Sequence, residues 1–548
     1  MQGGIETEAD LNRVKKDACK KYRLSTLPTN GDIILRGTDE EKKAIRDVLQ
    51  RKPVRTVSGV AVIAAMTSPA PCPHGQCVPC PGGPSSAFRS PQSYMGKEPA
   101  AMRAFEFGFD PYDQVSSRLT QLETIGHDVS KAELIIMGGT FSARTLDYQE
   151  WFVKRCLEAM NDHGCRTGSP AWRESLTAET GRIETPVGPY FTLEAVQRAN
   201  ETGAVRNTGI TFETRPDWAK DDHIEEFLRL GGTKVELGVQ SIYDDVLLKM
   251  KRGHTVSETA DANRRLRDKG FKVGFHMMPG LFDTDPDREI EGFRTLFENP
   301  DFRPDYIKLY PTLVTEGTEL CRMWQNGEYM PLTDDDAPDL ISRIKEILPP
   351  WTRLQRVQRD IPAHQILCGV RKSNLRQIAE DKLHERGGRC RCIRCREVGH
   401  NLLRNNPPDP ENIRLRVEKY DACGGTEHFI EFADTQKDIL IGLCRLRFPE
   451  DRERPDFPIL RNTALIRELH VYGSMLALGE KSPGSWQHRG YGRELIEKAE
   501  ELAKDAGYDK LSVISGIGVR EYYRRYGYEF DGRYMTKNLR IENSSGSF

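Results

Sequence analysis

Three cysteines fall within nine residues, Cys72, Cys77 and Cys80, in the run APCPHGQCVPCPGG. Thiolates at this spacing can hold three corners of a [4Fe–4S] cluster and leave the fourth iron open for a substrate-like ligand. An open iron beside bound S-adenosylmethionine is one way a protein starts radical chemistry. A zinc site is the other reading of the same thiolates. The loop follows an apolar run, VAVIAAM, as expected if it sits at the mouth of a sheet.

A second group, Cys390, Cys392 and Cys395, forms C-x-C-x2-C five residues before His400. Thiolates and imidazole at short spacing suit tetrahedral zinc. His400 is the nearest fourth ligand in sequence, Cys423 and His384 are the alternatives, and a second cluster is the rival reading.

The third site is Gln487-His488-Arg489-Gly490-Tyr491-Gly492, which opens a helical pattern after a strand. Consecutive backbone N–H groups at a helix N-terminus offer themselves to a pyrophosphate. Four strand-like runs precede it and a strand with a tyrosine pair follows. That context resembles the acetyl-coenzyme A loop of GCN5-related N-acetyltransferases. Tyr522 and Tyr523 stand where that family often places a tyrosine acid near the thioester sulfur, with core packing as the plain alternative. Glu468 and His470, in RELHVYG, share one face of a strand expected to look toward the coenzyme. Each is a candidate general base or a member of a buried hydrogen-bonded pair.

The elements that would position these groups are legible. From residue 56 apolar runs alternate with amphipathic helical stretches. The runs are VAVIAAM (60–66), ELIIMGGTF (133–141), TGITFETRPD (208–217), KVELGVQS (234–241), KVGFHMMPGL (272–281) and DYIKLYPTL (305–313). Strands alternating with helices predict βα units on a parallel sheet, here a partial (βα)6 barrel in an α/β fold. Functional groups gather at the carboxyl ends of such strands. Gly138, Gly139 and Thr140 could let backbone approach the S-adenosylmethionine amino group. Glu213 and Arg215 could hold its ammonium and carboxylate, or pair with each other. Lys308 is a weaker candidate that could equally snorkel from a strand end.

After the break NNPPDP the pattern becomes an antiparallel meander with one helix, an α+β domain. The expected organisation is 1–55, a basic extension; 56–314, the partial barrel; 315–410, a zinc-bearing linker; and 411–548, the acetyltransferase domain. The extension carries Lys15, Lys16, Lys20, Lys21 and Arg23 on one helical pattern, either a solvated face or an RNA-contacting arm.

Lys and Arg total 80 against 82 Asp and Glu, so no global charge pushes the chain toward nucleic acid or membrane and any basic surface is local. No apolar stretch approaches the roughly 20 residues of a membrane helix, and the N-terminus is charged rather than signal-like. Of 13 cysteines six cluster as 72/77/80 and 390/392/395, a grouping that favours metal over disulfides, so the expected setting is a reducing cytoplasm.

Taken together, CPHGQCVPCPGGP, FETRPD, VELGVQS, RGHT, KLYPTLV, RVQRDIP, RELHVYG and VISGIGVREYYRRYGY resemble the catalytic subunit of the Elongator complex over nearly the entire chain. The cluster spacing, C-x4-C-x2-C, is one residue longer than that of most radical S-adenosylmethionine enzymes and is this family's own form. The resemblance implies a [4Fe–4S] cluster, S-adenosylmethionine, acetyl-coenzyme A and, in some members, zinc. It implies a 5′-deoxyadenosyl radical that abstracts hydrogen from the acetyl methyl carbon, addition to C5 of a tRNA wobble uridine, and hydrolysis to carboxymethyluridine. As partners it implies the tRNA anticodon stem-loop and allows a homodimer or accessory subunits. Arg353, Arg356, Arg359, Arg371, Lys372 and Arg376 are then candidates for phosphate contacts. Two rival readings are a protein lysine acetyltransferase with a structural barrel and a metal-stabilised RNA-binding scaffold.

Overall fold

The structure, a computed structural model, describes residues 7–38, 41, 46–50, 53–163, 192–282, 285–473 and 490–540. Its first sheet has seven strands: β1 (Ala61–Met66), β2 (Lys131–Met137), β3 (Arg206–Thr214), β4 (Gly232–Gln240), β5 (Lys272–Met277), β6 (Tyr306–Leu309) and β7 (Arg353–Val357). They pair in chain order, every pair parallel. Sequential parallel pairing with helices between strands curls the sheet into a half-barrel with two edges, β1 and β7. The seventh strand corrects the expected boundary at 314, because the sheet takes β7 from the stretch assigned to the linker.

Alternation decides what each edge strand shows. Ala61, Ile63 and Ala65 of β1 are fully buried, in the core that also takes Val115, Leu119 and Leu122 of the helix Pro111–Thr124. Asp110 caps that helix by accepting from the Asp113 backbone N–H, with proline at its first position. Val62 and Ala64 face the other way, into the concave side of the half-barrel.

The second sheet comprises β8 (Ile413–Ala422), β9 (Gly425–Asp434), β10 (Ile439–Pro449), β11 (Thr463–Val471), β12 (Lys510–Val513), β13 (Glu529–Phe530) and β14 (Met535–Asn538). Its order is β8-β9-β10-β11-β12-β14-β13, with β11 and β12 its one parallel pair. That pairing stops at Ile466–Val513 while β11 runs on to Val471, so the two strands part beyond it.

The two sheets share a core. Leu465, Ile514, Ile517 and Tyr534 of the C-terminal part belong to the same hydrophobic cluster as the barrel strands. At the amino ends of the barrel strands this core is crossed by buried ions. Asp305, one residue before β6, accepts from Arg467 Nη1 at 2.7 Å and Nη2 at 2.8 Å, and lies 3.4 Å from both Arg267 and Arg445. Glu427 accepts from Arg267, Arg447 and Arg467 at 2.9–3.2 Å. Buried charges are tolerated when each has partners, and these come from both parts of the chain: Asp305 and the helix residue Arg267 from the barrel, and Glu427, Arg445, Arg447 and Arg467 from the second sheet. Among the described residues no helix is long and apolar enough to cross a membrane.

In the N-terminal extension, helix Glu8–Tyr22 begins with a Thr7–Asp10 capping box. Lys15 is buried on Asn30, whereas Lys16, Lys20, Lys21 and Arg23 are exposed.

Candidate functional site

The carboxyl ends of the barrel strands open into a cavity of about 580 Å³ whose walls include Cys72, Gly139, Thr140, Glu213, Arg215 and Tyr310. The cysteine loop covers one side of it. Cys77 and Cys80 are buried and Cys72 is half-buried. Each sulfur meets a donor. Thr140 Oγ1 lies 3.6 Å from Cys72, the Ser93 backbone N–H donates to Cys80 at 3.3 Å, and Arg252 Nη1 lies 3.6 Å from Cys77.

Cys77 has a second partner, His74 Nε2, at 3.0 Å. The other ring nitrogen, Nδ1, faces Arg215 Nη1 at 2.6 Å. A guanidinium can only donate, so Nδ1 accepts and the proton sits on Nε2, aimed at the thiolate. Burial, followed by the charges of Arg215 and Arg252, lowers the His74 pKa to about 4, which keeps this neutral tautomer in place. Arg215 is fixed in turn by Asp217 at 2.9 Å through two nitrogens. Sequence reasoning missed His74, although it stands inside the cysteine motif.

The two cysteine groups differ in spread. The sulfurs of Cys390, Cys392 and Cys395 all lie within 4.8 Å of one another, whereas those of Cys72, Cys77 and Cys80 do not. One tetrahedral ion at about 2.3 Å from each sulfur needs them roughly 3.8 Å apart. The first set therefore suits a single ion. The sulfurs of Cys72, Cys77 and Cys80 are too spread for one such ion, and Arg252 and Arg215 lie near them.

Inside the half-barrel a ladder of ionisable groups descends from the cavity. Tyr94 donates to Glu213 at 2.9 Å, Lys308 lies 3.6 Å from Glu213 and bonds Glu236, and Glu236 meets His276 at 3.0 Å. Burial opposes ionisation of Glu236, yet Lys308 and Lys234 hold its carboxyl well below the usual range. The alternative pairing of Glu213 with Arg215 is absent among the described residues, since each has its own partners. Lys308 is a correction of a different kind: it is buried beneath the cavity, tied to two carboxylates, and does not snorkel. Gly138 has φ +129°, and a Cβ there would fall 2.1 Å from Thr67 Oγ1, so only glycine allows β2 to turn so close to β1. Glu236, His276, Tyr94 and Arg252 carried no local signal beyond lying at strand ends or in RGHT.

Several expected placements are corrected. Glu468 and His470 share a face of β11, but that face packs on the barrel rather than on a coenzyme. Glu468 accepts from Tyr306 at 2.5 Å and from Arg445 at 2.7 Å, and His470 Nε2 lies 2.7 Å from the Ser58 carbonyl. His400 stands apart from the cysteine group. One helical turn carries it to Glu397, 3.0 Å away, which Arg353 and Ser58 also hold. Cys423 is bonded to Asn263 and the Asp301 carbonyl, and His384 is exposed. Among the phosphate-contact candidates Arg353 is spent on Glu397, and Arg376 is half-buried with a bond to the Leu354 carbonyl. Arg356 and Arg359 line the cavity, paired with Asp360 and Glu98. Arg371 and Lys372 are exposed and take up Asp334 with their backbone N–H groups.

On the second sheet, Gly490 caps the helix Tyr491–Asp505, while Gln487, His488 and Arg489 lie outside the described residues. A Cβ on Gly492 would lie 2.6 Å from Tyr522 Oη and 3.7 Å from Val471. Tyr522 thus reaches the helix N-terminus exactly where β11 and β12 have parted, and burial raises its pKa. Tyr523 is buried against Tyr522 and Tyr528 in the core. The tyrosine pair divides into one residue at the gap and one in the packing. Strand β7 touches both parts. Arg353 approaches Tyr472 Oη at 3.4 Å, and Arg356, three residues further and about 10 Å along the strand, lines the cavity.

Family models match along the whole chain: the ELP3 N-terminal domain at residues 1–57, the Radical SAM superfamily at 72–296, the Radical SAM C-terminal domain at 304–385, and the Acetyltransferase (GNAT) family at 399–528. A Methanocaldococcus infernus protein named tRNA uridine(34) acetyltransferase is 48% identical over 534 residues, covering 96% of this chain and 95% of its own. Human Elongator complex protein 3 is 41% identical over 544 residues, covering 97% of this chain and 94% of its own. The solved structure of the archaeal Methanocaldococcus infernus Elp3 with an N-terminus deletion superposes with a TM-score of 0.73 at 44% identity, covering 88% of this chain and 100% of that one. The half-barrel with its cysteine loop, fused through a shared core to a GNAT sheet, is the architecture these matches describe, and the chain belongs to the family of Elongator complex protein 3 and the archaeal tRNA uridine(34) acetyltransferases.

Proposed function

We propose that this chain modifies the wobble uridine of tRNA, taking an acetyl-derived group from acetyl-coenzyme A and installing it as 5-carboxymethyluridine. The observation that carries the reading is the joining of two chemically unlike sites, a cysteine loop over an open-mouthed cavity and a parted-strand gap with a helix N-terminus, on one frame with a common core. A [4Fe–4S] cluster with S-adenosylmethionine supplies, when bound, a carbon radical able to take hydrogen from an unactivated methyl group.

The residues of the chain do the rest. Cys72, Cys77 and Cys80 are the proposed cluster ligands, with the Arg215–His74–Cys77 relay fixing one thiolate. Gly138, Gly139, Thr140, Glu213 and Arg215 form the proposed S-adenosylmethionine wall. Lys308 belongs to the floor, 3.6 Å from Glu213. Gly490, Tyr491 and Gly492 are proposed to take the coenzyme's phosphates, and Tyr522 to face its thioester. Substrate seated in the mouth of the cavity would limit water around a reactive intermediate. Cys390, Cys392 and Cys395 are proposed to hold a structural zinc whose fourth ligand is not His400. The substrate is proposed to enter as an anticodon stem-loop, whose unstacked bases can be splayed into a pocket. Thiolate metal ligands fit a reducing compartment, so we place the chain in the cytoplasm. Relatives named as Elongator complex proteins make accessory subunits a natural extension of the proposal.

The competing activity is lysine acetylation by the C-terminal domain. The two are separated by turnover of acetyl-coenzyme A on the full-length, iron-loaded chain with S-adenosylmethionine. Turnover should rise severalfold when tRNA is added and stay at the basal level with lysine peptides. Turnover driven by peptides and indifferent to tRNA would favour the competitor.

A further inference from the structure

The rim of the cavity on the β1 side carries a charge that the assigned chemistry leaves unused. Arg55 from the turn Pro53–Arg55, Arg103 from the helix Pro99–Glu106 and Arg118 from the helix Pro111–Thr124 all line it. Three elements thus converge to set three guanidinium groups around one opening. The other two arginines of the rim, Arg356 and Arg359, have carboxylate partners. These three have no ion pair among the described residues. Arg103 donates to the Ala64 carbonyl at 2.9 Å and Arg118 to Gln121 at 2.5 Å, both neutral acceptors, and Arg103 Nε is buried with no partner at all. Glu106 is the carboxylate whose field reaches Arg103. Burial, followed by the charges of Arg103 and Arg55, lowers the Arg118 pKa to about 10, the mark of cations crowded without a counter-charge.

Apolar surface lies among them. Val62 is 40% exposed and Met102 is 50% exposed, both in the wall of the same opening. Guanidinium groups interleaved with exposed apolar side chains match a single-stranded nucleic acid, phosphates on the former and a splayed base on the latter. The phosphates of a coenzyme are already provided for by the helix N-terminus at Gly490, on the other sheet.

Resting on the tRNA reading above, we infer that Arg55, Arg103 and Arg118 form a phosphodiester-binding subsite that seats the RNA backbone while the target base passes over Val62 and Met102 into the cavity. The subsite is a positioning device: it holds the substrate's backbone and touches no reacting atom.

The test is binding of an anticodon stem-loop RNA to the full-length chain by fluorescence anisotropy across a salt series, with acetyl-coenzyme A binding measured in parallel. Arg103 is left intact because it also caps the β1 edge. In R55Q and R118Q the RNA dissociation constant should rise about tenfold, and the slope of log affinity against log salt should fall by roughly 0.7 for each charge removed. R118K should restore most of that slope, and acetyl-coenzyme A binding should not change. An unchanged constant and slope in the double variant overturns the subsite while leaving the tRNA reading standing. A loss that appears in acetyl-coenzyme A binding instead assigns the arginines to the coenzyme and also overturns it. If the wild-type chain binds no stem-loop, the tRNA reading falls and the subsite falls with it.

Discussion

Cys77→Ser is expected to reduce product formation to background and to strip the chain of cluster iron, while acetyl-coenzyme A binding by the C-terminal domain is retained. A serine hydroxyl keeps the size of the side chain but replaces a soft thiolate with a hard oxygen, a poor match for an iron–sulfur corner. Cys77 is also the sulfur on which most of the local structure converges, receiving His74 Nε2 at 3.0 Å and lying 3.6 Å from Arg252. The alkoxide that a serine would need is far harder to form beside the cavity than the thiolate it replaces. Iron content, the visible absorbance of the reconstituted protein and the coenzyme dissociation constant check this together. His74→Ala in the same preparation should keep its iron and shift the cluster's reduction potential, read by electron paramagnetic resonance, because the N–H···S bond is lost while Arg215, giving up its bond to Nδ1, stays held by Asp217. Loss of coenzyme binding along with iron in Cys77→Ser would mean that the loop serves the fold rather than the chemistry.

Asp305→Ala is expected to destabilise the chain by about 3–5 kcal/mol, the cost of leaving buried charges without their partner. Asp305 is fully buried, carries a two-pronged bond from Arg467, faces Arg267 and Arg445, and accepts the Val273 backbone N–H at 2.9 Å. Burial opposes its ionisation, yet those arginines hold its carboxyl far below the ordinary range. Removing it leaves Arg267 of the barrel's helix and Arg445 and Arg467 of the second sheet facing one another in the shared core. Denaturant unfolding with a barrel probe and a C-terminal probe should show both parts losing stability, and a change under about 1 kcal/mol would contradict the shared-core account. The same ions set the acid limit. The Glu468 carboxyl is pushed up by burial but brought to about 2 by Arg445 and Lys272, against about 4.3 in an unfolded chain. A carboxylate with a lowered folded pKa stabilises above its unfolded value and loses that contribution as pH falls toward the folded one. Stability should therefore be flat above about pH 5 and fall steeply between about 4 and 2.

How much of this was legible in the sequence follows from what is local. Six barrel strands were readable because strands buried on both faces leave continuous apolar runs that end in polar or glycine residues. The seventh, Arg353–Val357, was not, because an edge strand reading RLQRV alternates charge with a single leucine and looks like a linker. Alternation placed Glu468 and His470 on one face, but it says nothing about what covers that face. Their partners, Tyr306 and Ser58, lie 162 and 412 residues away. His400 failed for the opposite reason: proximity in sequence suggested the thiolates, whereas a helical turn presents it to Glu397 three residues earlier. Arg353 and Arg376 read as surface charge because burial by tertiary packing leaves no trace in a short window. The Glu213–Lys308–Glu236 ladder was half visible, as strand-end residues whose cross-strand pairing only the register of β3, β4 and β6 reveals.

The measurement that bears most directly on the account is mass spectrometry of tRNA nucleosides after reaction with the full-length chain, reconstituted anaerobically and supplied with S-adenosylmethionine and acetyl-coenzyme A deuterated in the acetyl methyl group. The account predicts deuterium-bearing carboxymethyluridine at the wobble position together with deuterium in 5′-deoxyadenosine, both absent when either cofactor is omitted. Unmodified uridine from a preparation with full iron, or product whose acetyl carbon carries no deuterium, would contradict it.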